Sequence, residues 1–105
     1  MPFMFATDEQ LEQLRQAELV VLDFYASWCG PCKIFAPIFE SVAARFPEIP
    51  FVKVDIDKAK MLAKAARVRS VPTIVILKRG NVVFSKSAVL SRDQLANAVL
   101  EHSGR

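Results

Sequence analysis

Residues 18–26, ELVVLDFYA, constrain the fold more than any other stretch of the chain. A strand with one face in water alternates apolar and polar residues, and this one does not. It is apolar on both faces, so a sheet built around it must be covered on both sides. Residues 29–46 supply one cover: Ile34, Ile38, Val42 and Phe46 recur every four residues, a helical period. Pro37 lies inside that pattern, and because the period continues past it, the helix is expected to kink there rather than end. PFVKVDI at 50–56 reads as a second strand and residues 58–67 as a second crossover helix. PTIVIL, KRGN and VVFSKS at 72–87 read as strand, turn and strand, with Gly80 supplying the turn. Thr7 or Asp8 can cap a first helix through about Gln16, with Leu11 and Leu14 inward. Ser91 caps a last amphipathic helix, SRDQLANAVLEH. Strand, helix, strand and helix followed by a hairpin and a helix give an α/β sandwich. Its early strands should be parallel and its hairpin antiparallel.

With 105 residues, 52% hydrophobic and 24% charged, the chain fits one domain, 1–105, with one core. No linker, repeat or low-complexity tract divides it. MPFMFATDEQ has no basic leader, its apolar stretch is too short for a signal segment, and no apolar run approaches the roughly 18 residues that span a bilayer. The expectation is a cytoplasmic, soluble monomer, although a mature chain freed of its signal would read the same way. The net charge of +3 is unevenly placed: residues 58–69, KAKMLAKAARVR, hold five basic residues and no acid. At helical spacing Lys60, Lys64 and Arg67 share a face. A solvated helix surface is the plain reading and a steering patch for an acidic protein the sharper one. Nucleic acid is not expected, because no aromatic or base-reading residues accompany the charge.

Cys29 and Cys32 are the only cysteines. A zinc site needs three or four ligands, and the sole histidine, His102, lies near the C-terminus, so no metal is expected. A structural staple gains stability with the length of the loop it closes, and this loop is minimal. Redox exchange remains. Residues i and i+3 in a first helical turn lie within the roughly 4.4–6.8 Å between Cα atoms that a disulfide requires. Cys29 at the helix edge would have free N–H groups and the positive dipole end to stabilise a thiolate. Such settings take a cysteine pKa from about 8.5 into roughly 3.5–7.5. Cys32, one turn inside, would stay higher. Pro31 suits a first turn, where its missing N–H costs nothing. Gly30 keeps bulk away from an incoming disulfide.

DFYASWCGPCK resembles the active-site signature of the thioredoxin family almost letter for letter. Ala36-Pro37, the VPT of residues 71–73 and KRGN follow in family order, so the resemblance covers essentially the whole chain. It implies a thioredoxin fold, a central mixed sheet of about five strands flanked by about four helices. It implies a protein-disulfide reductase in which Cys29 attacks a client disulfide and Cys32 resolves the mixed disulfide. No cofactor would be bound, and thioredoxin reductase would return the electrons, with NADPH or ferredoxin as their source. Asp23 interrupts an apolar strand where the family has a buried proton acceptor for the resolving cysteine; a hydrogen-bonded structural carboxylate or an exposed strand end is the alternative. Lys53 interrupts the next strand, where the family pairs a lysine with that aspartate, and snorkelling to solvent is its alternative. Pro72 falls at the family's cis-proline facing the cysteines. Trp28, Gly30, Pro31, Val71 and Pro72 would form a flat apolar surface on which a client chain docks, although Trp28 could instead be core.

The sequence also departs from the family. Tyr25 stands where a tryptophan is usual, and Ala88, after Ser87, where a glycine commonly lies beside the cis-proline loop. A methyl group there narrows a partner's approach. The first strand is left with only PFMF. Together with the basic run these departures suggest a dedicated client with an acidic docking face. An oxidase or isomerase on the same fold, or a binding subunit without redox turnover, is the competing reading.

Overall fold

The computed structural model describes residues 4–5 and 7–104. Among them run β1 (Met4–Phe5), a 3-10 turn (Asp8–Gln10), α1 (Leu11–Gln16), β2 (Leu19–Tyr25), α2 (Gly30–Ala43), β3 (Phe51–Asp55), α3 (Lys60–Ala65), β4 (Thr73–Lys78), β5 (Asn81–Lys86) and α4 (Arg92–His102). The sheet order is β1-β3-β2-β4-β5. β3 is parallel to β1 and β2, whereas β4 is antiparallel to β2 and β5. Five strands and four α-helices match the expected fold. Pro2 and Phe3 of the expected first strand lie outside the described residues.

β2 is central, and its two faces are buried by different helices. Leu19 and Val21 join α2 and α4 in one core, and Val20, Leu22 and Phe24 join α1 and α3 in another. Side chains alternate along a strand, so Asp23 projects to the α2 side, as do Lys53 on β3 and Ile74 on β4, its register partners. Phe39 is fully buried in the first core, with ring centroids 6.0 Å from Phe35 and 5.3 Å from Phe51.

Two expected helices are corrected. In α2 the inward stripe is Cys32, Phe35, Phe39, Val42 and Ala43, while Ile34 is 65% exposed. A period of four drifts away from 3.6, so the Ile34 end of that stripe turns outward by the first turn. Pro37 sits inside α2 without ending it. The α3 region is shorter than 58–67. Arg67 takes φ 57°, with its N–H on the Lys64 carbonyl and the Val68 N–H on the Ala63 carbonyl, a left-handed helix stop usually given to glycine. Arg67 therefore leaves the face of Lys60 and Lys64. The β4–β5 turn has positive φ at both Arg79 (51°) and Gly80 (83°), the two-residue turn that matches strand twist. In α4, Ser91 Oγ accepts the Gln94 N–H at 3.1 Å and Gln94 Oε1 accepts the Ser91 N–H at 2.9 Å.

Candidate active site

β2 ends at Tyr25, and the Cys29 N–H returns to the Ala26 carbonyl at 3.2 Å, closing the turn that leads into α2. Cys29 is the residue capping α2, with extended backbone, and Gly30 and Pro31 form the first helical positions. Pro31 therefore occupies a place where no N–H is needed. The Cys32 N–H points back to Cys29 Sγ at 3.2 Å. Once the pair is reduced, that contact, at the positive end of a helix of 14 residues, is of the kind that favours a thiolate. Cys29 and Cys32 are joined as a disulfide with Cα atoms 5.3 Å apart.

Around the pair, Ala26, Tyr25, Ile56 and Val71 pack together. The Val71–Pro72 bond is cis, and the Val71 carbonyl oxygen lies 3.7 Å from Cys29 Sγ. Thr73 Oγ1 donates to the Ser70 carbonyl at 2.6 Å and lies 2.8 Å from Ser87 Oγ. This tie fixes Ser87, and with it Ala88, beside the Val71–Pro72 loop. Ala88 is half-buried against the core that α2 and α4 share.

Of the residues expected to form a docking surface, Trp28, Gly30 and Pro31 are exposed and Val71 is half-buried. Pro72 is buried, so it is not itself part of that surface. Trp28 is 68% exposed, which excludes the core reading, and its Nε1–H donates to Asp57 Oδ2 at 2.9 Å. Nothing in the sequence pattern marks Asp57 for this; it follows β3 in a turn and meets Trp28 only through the fold. A Cβ built on Gly30 meets nothing within 4 Å, so no packing inside the chain demands glycine there.

Asp23 is 1% exposed, and its Oδ1 has no hydrogen-bond partner among the described residues. An exposed strand end is excluded. Burial pushes its carboxyl up to about 7, and the Lys53 charge on the neighbouring strand pulls the other way. Lys53 Nζ lies 5.0 Å from the centroid of the Tyr25 ring. Tyr25 in turn is raised by burial and by the charges of Asp55 and Asp23. A carboxyl poised near neutrality, under the helix that carries Cys32, is equipped to exchange a proton.

The thioredoxin family model matches residues 3–101. The chain belongs to the thioredoxin family. It is 38% identical over 98 residues to a thioredoxin H-type from Oryza sativa subsp. indica, covering 92% of this chain and 80% of that one. Thioredoxin-1 of Caenorhabditis elegans is 38% identical over 94 residues, covering 90% and 81%. Among solved structures, thioredoxin F from spinach chloroplast aligns with a TM-score of 0.87 at 32% identity, over 97% of this chain and 87% of that one. A mutant thioredoxin from Halobacterium salinarum aligns with a TM-score of 0.89 at 28% identity, over 98% and 92%. This thioredoxin-family chain is a thiol–disulfide oxidoreductase whose redox-active pair is Cys29 and Cys32. Family members are generally reduced by thioredoxin reductase, act on disulfide-bearing clients and need no bound cofactor. Among the described residues no group of three or more His, Cys, Asp or Glu side chains could hold a metal ion. No helix among the described residues is long and apolar enough to cross a membrane.

Proposed function

We propose that the chain, as one domain over 1–105, is a monomeric cytoplasmic reductant of protein disulfides. The observation that carries the reading is the Cys32 N–H aimed at Cys29 Sγ at the start of α2. The Cys29 thiolate attacks one sulfur of a client disulfide. The Cys29–client bond forms, the client S–S bond breaks, and the departing thiolate takes up a proton. Cys32 then gives its proton to the Asp23 carboxylate and its thiolate attacks Cys29 Sγ. The client leaves with two electrons gained, and Cys29–Cys32 is left oxidised. Lys53, by its charge, keeps Asp23 ionisable in the working pH range. Trp28, Gly30, Pro31 and Val71 receive the client chain, Pro72 shapes the loop that presents Val71, and Ala88 borders the approach. Electrons return from a thioredoxin reductase drawing on NADPH or ferredoxin. An acidic client fits the cationic residues beside Val71.

Equilibration of Cys29–Cys32 against a glutathione or dithiothreitol series, read by Trp28 fluorescence, tests this. A potential near the roughly −270 mV reference for thioredoxin supports a reductant. One well above it, toward the roughly −180 to −120 mV of isomerases and oxidases, would mean an oxidase or isomerase instead.

A further inference from the structure

The five cations of residues 58–69 are all exposed, and among the described residues none forms an ion pair. They exceed the whole chain's net charge of +3, so the rest of the molecule is net acidic. The segment is bracketed by two contacts to the active site. Just before it, Asp57 holds the Trp28 indole at 2.9 Å. Just after it, the Val71 carbonyl lies 3.7 Å from Cys29 Sγ. The two ends of the segment, Lys58 next to Asp57 and Arg69 two residues before Val71, thus lie near the active site, and α3 carries the other cations on from there.

Local physics does not favour this placement. Lys60 opens α3 at the positive end of its dipole, with no acid of its own in the first turn, where Asp8 reaches in from before α1 to cap the Leu62 N–H. Arg67 stands at φ 57°, a left-handed conformation that a side chain disfavours and glycine adopts freely. Only Lys64, in the last turn of α3, is well placed for the dipole. Charges kept at positions that weaken the element carrying them have their use outside it. Met61, 63% exposed among them, adds an apolar anchor.

We infer that residues 58–69 form a docking face for client proteins bearing a cluster of carboxylates next to the disulfide to be reduced. The inference rests on the oxidoreductase reading and names its client class. Asp57 is engaged by Trp28 and Asp8 by the Leu62 N–H, and among the described residues neither forms an ion pair with these cations. Steering of this kind raises association rates by roughly ten- to a thousandfold and fades as salt shortens the Debye length from about 10 Å at 0.1 M to about 3 Å at 1 M.

The test uses two disulfide-bonded peptides of equal length, one flanked by aspartates and one by asparagines, with hydroxyethyl disulfide as a neutral control. At low salt the aspartate peptide should be reduced about tenfold faster than the asparagine peptide, converging near 1 M salt. In Lys60→Glu/Lys64→Glu/Arg69→Glu the preference should vanish or invert while the rate with hydroxyethyl disulfide holds. Arg67→Gly relieves the local backbone, so it should fold at least as well as the parent and still lose part of the preference. Equal, salt-indifferent rates for the two peptides would overturn the docking face while leaving the reductase intact. A preference unchanged in both variants would do the same, as would binding of a single-stranded RNA oligomer without any peptide preference. Loss of the hydroxyethyl disulfide rate in the parent chain would instead strike the oxidoreductase reading itself.

Discussion

Asp23 carries the strongest conflict between burial and chemistry in the molecule. Its carboxyl is 1% exposed and lies at about 7, against an ordinary value of 3.8. A carboxyl raised on folding is protonated in the native state while still ionised in the unfolded one. Between about pH 4 and 7 the native state therefore binds more protons, and stability falls as pH rises through that window. Asp23→Asn should match the parent below pH 4 and exceed it above pH 7, by about 4 kcal/mol at roughly 1.36 kcal/mol per pKa unit. Urea unfolding at pH 3.5 and pH 8 checks this, and an equal gap at both would show that the carboxyl is not the cause. The same variant should slow release of the mixed disulfide while leaving the first attack nearly intact, resolved by single-turnover kinetics. Gly30 makes a complementary prediction. Because a methyl group there meets nothing within the chain, Gly30→Ala should leave the melting temperature unchanged or slightly higher. It should slow reduction of protein disulfides more than of hydroxyethyl disulfide, since only the former bring bulk against that spot. Equal slowing of both would assign Gly30 to the chemistry rather than to access.

Among the elements, α3 is the one whose stability is borrowed from elsewhere. Its capping residue is Ala59, which has no side-chain acceptor, and its first turn has no acid. Asp8, from before α1, supplies the cap: its Oδ1 accepts the Leu62 N–H at 3.0 Å. Asp8→Ala should cost about 1 kcal/mol in chemical denaturation, and Asp8→Asn much less, because an amide oxygen can still accept. Hydrogen exchange should place the loss in the first turn of α3, next to the Asp57 and Trp28 contact; a uniform loss across the sheet would argue against a local cap. By contrast α2 is sustained within itself and by the sheet beneath. It keeps Cys29 and Cys32 fixed while the surface beside them, from residue 58 to Val71, rests on a short helix.

The whole molecule is a sheet with two cores, and the active site draws its rigidity from the one between β2, β3, β4, α2 and α4. Phe39 joins α2 to β3 through Phe51. Phe39→Ala should destabilise by about 3–5 kcal/mol, measured by urea unfolding. A loss under 1 kcal/mol would mean that neighbours collapse into the space. Much of this architecture was legible in the chain. An apolar run on both faces demands a covered sheet, the change of period from two to roughly four marks the helices, and Ser91 and Gly80 name their own cap and turn. Cys29, Gly30, Pro31 and Cys32 are local in sequence, so their geometry followed from one turn of helix. The inward face of α2 did not, because a stripe spaced by four and a helix turning at 3.6 diverge within a few turns, and packing chose Phe35 and Phe39 over Ile34. Asp23 was conspicuous in its strand, but only the neighbouring strands and α2 bury it. Asp57 on Trp28, Asp8 on α3 and Ser87 on Thr73 join residues 29, 54 and 14 positions apart. Such contacts leave no periodic trace. Sequence by itself determined the strands, the helices and the cysteine chemistry, since these depend on neighbours a few residues away; tertiary structure alone decided which charges are buried, capped or left facing a partner, since a charge's energy depends on everything folded around it.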